Sequence, residues 1–327
     1  MNISILSCGA AFPKKVVSND DLGKLVDTSD EWIFTHTGIR NRGVVSGEET
    51  VTSMAVEASR NAIEKAGICP EEIDLVICST LSPDMRFPAV AGSVRHTLEM
   101  RDVPAFDLCG TACAGFIYGV ITAQSLMKNC GYKTALVIGS EVLSKITDWS
   151  DRSSCILFAD GAGATILQMD ENPQRKGIMN GFLHGFNDKA GVLNCHQPTG
   201  DSPFCEDESP KNYKMEMHGH KVFPFGVNSV IGGVRECLEV SGLSADDIRW
   251  IVPHQANARI VTSAADRLKI SQDKFYVNLE NIGNTSSASI PIALSELDEK
   301  GLLTRGDKII CIGFGAGLSS GSILLEW

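Results

Sequence analysis

The chain has 327 residues, 43% hydrophobic and 21% charged, enough to bury a sizeable core in one large domain or two closely joined ones. Its formal charge of −11 argues against a general nucleic-acid binder, which would present a basic face. No window approaches the roughly 18 uninterrupted apolar residues of a membrane span. The eleven cysteines, an odd number without a C-x-x-C pair, read as reduced thiols of a cytoplasmic protein.

In chain order, NISILSCGAAFP alternates apolar and polar residues and predicts a strand over 2–8, without the basic and then apolar run of a signal peptide. Ser18, with Asp21 three residues later, predicts a capped helix over 18–26. A helix over 50–66 closing on Gly67, a strand over 73–80, a helix over 88–99 and a strand over 104–108 follow. A helix over 113–129 and strands over 134–139 and 156–168 complete a first half, 1–170. The second half, 171–327, opens with an irregular stretch, 187–212, poor in apolar residues. It continues with a helix over 219–241 closing on Gly242, a strand over 249–253, helices over 257–268 and 287–299, and strands over 307–313 and 320–326. Alternating helices and apolar strands predict an α/β protein with mixed sheets.

The halves echo each other. NAIEKAGICPEEIDLVICST and ECLEVSGLSADDIRWIVPHQ both read as an amphipathic helix, a glycine cap, an acidic link and an apolar strand. Gly67 and Gly242 lie 175 positions apart, as do Lys133 of KTALVIG and Lys308 of KIICIG. Two matches in one register predict a duplicated core.

Between these echoes, CGTACAGFIYGV carries two thiols. Cys113 falls where a helix begins, and a thiolate there gains from the helix dipole and unpaired N–H groups, which predicts a lowered pKa. Gly110, Ala112, Ala114 and Gly115 let a substrate approach it. Cys109, on the strand side, gains none of this. The same spacing also suits two small core residues at a tight strand–helix joint. A metal pair fits poorly, because C-x-x-x-C lacks knuckle spacing and His184, Cys195, His196, Cys205, His218 and His220 form no ligand pattern. In IVPHQANAR, His254 follows directly on a buried strand, and in ENIGNTSSAS, Asn284 sits in a small-residue loop before a helix. Alone, the first suits a structural histidine and the second a turn or cap. Packed as related halves, the three loops meet at one site.

DLCGTACAGFIYG, PHQAN and GNTSSASIP, in that order and spacing, resemble the β-ketoacyl-acyl carrier protein synthases III, initiating condensing enzymes of the thiolase superfamily. DTSDEWIFTHTGIRNR, SEVLSKITDWSDR, FADGAGAT and GFGAGLSSG extend the resemblance over essentially the whole chain. It implies a duplicated five-layer α-β-α-β-α core, a homodimer, and no cofactor or metal, acyl-CoA being a substrate. It implies that Cys113 accepts an acyl group from acyl-CoA. His254 and Asn284 then donate to the thioester oxygen of malonyl-acyl carrier protein as CO₂ leaves, with His254 neutral, and N–H groups of Cys113 and of residues 315–317 hold the acylation oxyanion. By the same resemblance Trp32 and Arg152 sandwich the CoA adenine, Asn257 contacts pantetheine, and Phe314 lies near the nucleophile. Phe87 reaches the acyl pocket across the dimer and implies a short primer such as acetyl, and Arg259, among Arg249, Arg267 and Lys269, meets the carrier protein. Two departures weaken the expected grip on CoA phosphates: His36 stands where many members have Arg, and Pro224 where a Lys is frequent, with Lys221 close by. The alternatives are a sibling enzyme of secondary metabolism with the same three residues, and a non-catalytic partner, which the presence of all three disfavours. A Cys-His hydrolase lacks an acidic residue beside PHQAN.

Overall fold

The computed structural model describes residues 2–170, 172, 174–188, 191–196, 204 and 213–327. Five strands form the first sheet: β1 (Asn2–Ala11), β2 (Leu75–Ser79), β3 (Ala105–Leu108), β4 (Thr134–Val142) and β5 (Asp160–Asp170), in the spatial order β1-β5-β4-β2-β3. Four form the second: β6 (Ile178–Gly185), β7 (Trp250–Pro253), β8 (Lys308–Gly315) and β9 (Ser319–Glu326), in the order β6-β9-β8-β7. Beyond β7, Ile251 pairs in parallel with Phe275, a single bridge where the first sheet has β3. The directions correspond as well. In the first sheet β1–β5 and β5–β4 run antiparallel and β4–β2 parallel, and in the second β6–β9 and β9–β8 run antiparallel and β8–β7 parallel. The sequence echo is therefore a repeat of topology, and the fold is thiolase-like.

Alternating side chains on these strands separate three hydrophobic layers, because successive Cβ atoms point to opposite faces. Ala135 and Val137 of β4 face inward with Ile309 and Cys311 of β8, against two buried helices, α2 (Gly115–Cys130) and α5 (Ser289–Glu299). Leu136 and Ile138 face outward onto α1 (Val51–Ala66), and Ile310 and Ile312 onto α3 (Gly219–Ser241) and α4 (Ala258–Leu268). Five layers, α-β-α-β-α, result. Gly67 and Gly242 close α1 and α3 with φ of 68°, as their echo predicts.

Several boundaries differ from the expectation. The helix expected over 18–26 is one turn, Asn19–Leu22, capped by Ser18 and Asp21, and the strand expected over 156–168 starts only at Asp160 because Arg152–Cys155 is helical. The helix Asp30–Thr37, the antiparallel strand pair Lys15–Ser18 and Asn41–Val44, and β6 were not anticipated. Of the irregular stretch 187–212, much lies outside the described residues, and Leu193–Asn194 within it pairs with Glu216–Met217. Among the described residues no helix is long and apolar enough to cross a membrane.

Candidate active site

Cys113 sits on a 3-10 turn, Ala112–Ala114, between β3 and α2. Ala112 holds φ of 45°, a left-handed conformation that costs a non-glycine residue about 1–2 kcal/mol. The turn is clamped by β8: a Cβ on Gly315 would lie 2.7 Å from the Cys113 backbone nitrogen, so only glycine lets that strand pass. The thiol is 8% exposed.

His254 follows β7 and is fixed by its own N–H, which donates to the Ile312 carbonyl at 2.7 Å. Its Nδ1 lies 2.7 Å from the Ser289 hydroxyl at the start of α5. The Gln255 N–H donates to that same oxygen at 3.4 Å, and the Ser289 proton can be given to Nδ1. In that arrangement Nε2 carries the ring proton and faces the cavity as a donor. Burial pushes the imidazole down to about 3, so it stays neutral at physiological pH. The Phe314 ring packs edge-on at 5.2 Å between centroids.

Asn284 precedes a second 3-10 turn, Ser286–Ala288, and its backbone is bonded in both directions to Leu157 and Ala159. Its Oδ1 accepts from the Ser286 N–H at 2.9 Å, which leaves Nδ2 as the outward donor. Cys113, His254, Asn284, Asn257, Phe314 and Phe223 line one cavity of about 120 Å³, with apolar walls that include Leu157, Leu193 and Ile260. Three loops that are distant in sequence converge there.

Trp32 and Arg152 lie outside that cavity and against each other. The Arg152 guanidinium stands 4.4 Å over the indole and donates to the Asp27 carbonyl at 2.8 Å. His36 stacks on the same indole at 4.2 Å, and its carbonyl accepts from Asn257 Nδ2 at 3.0 Å. Asn257 thus links the cavity to the Trp32 helix, and it caps α4 through the Arg259 N–H at 2.8 Å. The exposed Arg259 guanidinium reaches to 6.0 Å from the Phe223 ring at the cavity. Phe87 is 84% exposed in this single chain and is not brought to the cavity. Pro224 lies within α3, with Lys221 exposed one turn before it. His184 is bonded to Glu236 at 2.8 Å, and Cys205 lies outside the described residues.

One expectation is overturned. The Cys113 thiol is raised, not lowered: burial pushes it up to about 12, and the charge of Glu141 adds to this against a hydrogen bond from Ser286. The helix proper begins two residues later, at Gly115, so the sulfur lies on the preceding turn inside an apolar cavity. The motifs also gave no sign of Ser289 as the group that sets the histidine tautomer, nor of Glu141, which is fully buried behind the Ser286 turn. A lone acid ending the apolar strand KTALVIGSEV was the available signal.

A family model described as "3-Oxoacyl-[acyl-carrier-protein (ACP)] synthase III" matches residues 106–184, and the model of its C-terminal part matches 238–327. The β-ketoacyl-[acyl-carrier-protein] synthase III of Clostridium beijerinckii is 46% identical over 326 residues, spanning 100% of this chain and 99% of that protein. Among solved structures, 3-oxoacyl-[acyl-carrier-protein] synthase III of Aquifex aeolicus VF5 superposes with a TM-score of 0.91 at 40% identity, covering 100% of both chains. The priming β-ketosynthase of the R1128 polyketide pathway superposes with a TM-score of 0.90 at 36% identity, covering 99% of this chain and 96% of that one.

Proposed function

The chain belongs to the 3-oxoacyl-[acyl-carrier-protein] synthase III family, and we propose that Cys113, His254 and Asn284 carry out its decarboxylative condensation. It is an acyltransferase that starts fatty acid synthesis from an acyl-CoA primer and malonyl-acyl carrier protein. The observation that carries the residue assignment is the meeting of a thiol, a neutral imidazole and a carboxamide in one apolar cavity.

In the first half-reaction Cys113 attacks the thioester carbonyl of acyl-CoA, CoA departs as the thiol, and an acyl-enzyme remains. N–H groups at Cys113 and at the Gly315–Gly317 loop hold the oxyanion, which the close approach of Gly315 to the Cys113 nitrogen supports. In the second, Nε2–H of His254 and Nδ2–H of Asn284 donate to the malonyl thioester oxygen. They stabilise the enolate left as CO₂ departs, and its carbon attacks the Cys113 thioester to give the β-ketoacyl product. The Ser289 and Ser286 contacts give both side chains the polarity this needs, a donor toward the cavity.

Trp32 and Arg152 are the proposed adenine clamp: the stacked pair opens so that the base enters between indole and guanidinium. Asn257 holds the pantetheine arm, Phe314 closes the floor, and Arg259 with its basic neighbours takes the acidic carrier protein. Exposed Phe87 beside exposed Met85 supports a homodimer in which Phe87 enters the partner copy's acyl pocket. The protein works in the cytoplasm, as two related halves, 1–170 and 171–327, around one site.

The test is product analysis with malonyl-acyl carrier protein and a panel of acyl-CoAs. The expected result is a β-ketoacyl-carrier product, one CoA and one CO₂ per turnover, with short primers preferred. Free acid, ester or amide products would overturn the reading. The likeness to the R1128 enzyme favours one second reading, a priming ketosynthase of a polyketide route, and a preference for primers outside the fatty acid set would select it.

A further inference from the structure

Glu141 is the next-to-last residue of the buried strand β4, and the chemistry above does not use it. Its two oxygens are held differently. Oε2 accepts from the Leu81 N–H at 2.9 Å, the Ser82 hydroxyl at 2.9 Å and the Thr80 hydroxyl at 3.4 Å. The oxygens of Ser82 and Thr80 are themselves occupied by the N–H groups of Val142 and Ser82, so both hydroxyl protons are free to point at the carboxyl group. That environment suits an anionic oxygen.

Oε1 meets two hydroxyls, Ser286 at 3.2 Å and Ser287 at 2.9 Å. Ser287 has one proton and two acceptors, because the Ser79 carbonyl lies 3.0 Å away. The turn that carries Ser286 packs on the turn that carries Cys113, and the Ser286 hydroxyl acts on the thiol to lower its pKa against the rise from burial. A proton on Oε1 completes this network. Glu141 then donates to Ser287, Ser287 donates to the Ser79 carbonyl, and Ser286 is released to donate to sulfur.

We propose that Glu141 takes the Cys113 proton through the Ser286 hydroxyl during acylation, and so positions the charge of the nucleophile. The S–H bond breaks, Ser286 Oγ gains that proton and passes its own to Oε1, and the sulfur electron pair forms the bond to the acyl carbon. The C–S bond to CoA breaks with its pair on the departing sulfur, which regains the proton along the same hydroxyl. Charge in the site stays at one negative unit throughout.

With the thiol pushed up to about 12 the transfer is uphill on its own, so it runs only in concert with carbon–sulfur bond formation, and the stronger of the two nearby bases serves it best. Burial raises Glu141 to about 7 despite its donors, while His254, held near 3, is the weaker base. The other titratable groups facing this pocket are Cys78 and Cys109, both raised by burial and by the charges of Asp107 and Glu141. Asp107 itself is bound to the N–H groups of Val90 and Ala91.

The proposal rests on the assignment of Cys113 as the acylated residue, so the test begins with single-turnover acylation of the wild-type protein by acetyl-CoA across pH. Wild type should show a rate that rises through an inflection near pH 7, where Glu141 becomes ionised. Glu141→Gln should lose the inflection and fall about a hundredfold at neutral pH, the ordinary size of a general-base effect. Decarboxylation of malonyl-carrier protein should fall by much less. Ser286→Ala, which keeps the carboxylate and its other donors, should lose the same inflection. No adduct on wild-type Cys113 would defeat the functional assignment itself. An adduct with an unchanged pH profile in both variants would defeat the relay alone. Equal loss of acylation and decarboxylation at every pH would reduce Glu141 to a structural group and overturn the proposal as well.

Discussion

The turns Ala112–Ala114 and Ser286–Ala288 share a backbone and differ in chemistry. Each contains a non-glycine residue in the left-handed region, Ala112 at φ 45° and Ser286 at φ 50°, and each runs directly into a buried helix. Each is pressed by a glycine from the opposite sheet: Gly315 of β8 against Cys113, and Gly139 of β4 against the backbone of Ser287. One turn is lined with alanines around a thiol. The other presents hydroxyls beside a carboxamide. Duplication set where the backbone passes, and the side chains then divided the labour, with acyl capture on one turn and charge stabilisation beside the other. The strained φ values persist because packing from the opposite half holds them.

Removing a donor on the stabilising side should produce the largest effect. His254→Ala should slow decarboxylation by about 2.7–4 kcal/mol in the barrier while acylation of Cys113 stays detectable. Loss of acylation alone would break the division of labour. The glycine pair sharpens it. Gly315→Ala should slow acylation by about a hundredfold, the scale of a misplaced reacting group, and decarboxylation less, whereas Gly139→Ala, which displaces the turn that carries Ser286 and follows Asn284, should slow both steps. Burst and decarboxylation rates measured on both variants decide the matter. Equal slowing of both steps by Gly315→Ala would mean that the turns act as one unit.

Stability should carry the same asymmetry. His254 has its folded pKa near 3, below the ordinary 6.5, so the unfolded chain takes up a proton first and stability falls as pH drops from about 6.5 toward 3. At pH 5 this amounts to about 2 kcal/mol, which urea titrations of His254→Ala should no longer show. Glu141 acts oppositely. Raised to about 7 from the ordinary 4.5, it weakens the fold as pH climbs from about 4.5 through 7. The smallest effect belongs to the rim. Arg259→Glu should raise the KM for malonyl-carrier protein several-fold with strong salt dependence, and leave reaction with acyl-CoA alone.

Much of this was legible in the sequence because local pattern and tertiary role agree there. The helices over 50–66 and 219–241 lie within a residue of where periodicity and their closing glycines put them. Strand β6 escaped because it is the outer edge of its sheet, where only Ile178 is buried and alternation fades. The 18–26 helix is one turn at Asn19–Leu22, after which residues 23–26 continue as irregular turns rather than a regular helix. Cys113 and Asn284 sit in distinctive runs of small residues, and His254 directly follows an apolar strand in PHQAN. Glu141 and Ser289 act only through contacts from remote strands and helices, which no window of sequence displays. The thiol's acidity failed as an expectation for a related reason: a helix start is visible in sequence, whereas the burial that outweighs it is a property of both halves together.

The measurement that bears most directly on the account is peptide mapping of the mass adduct left by a mixture of acyl-CoAs. The account predicts a single acyl group on the peptide at Cys113, absent in Cys113→Ala and retained in His254→Ala. An adduct at the exposed Cys109, or none at all, would contradict it.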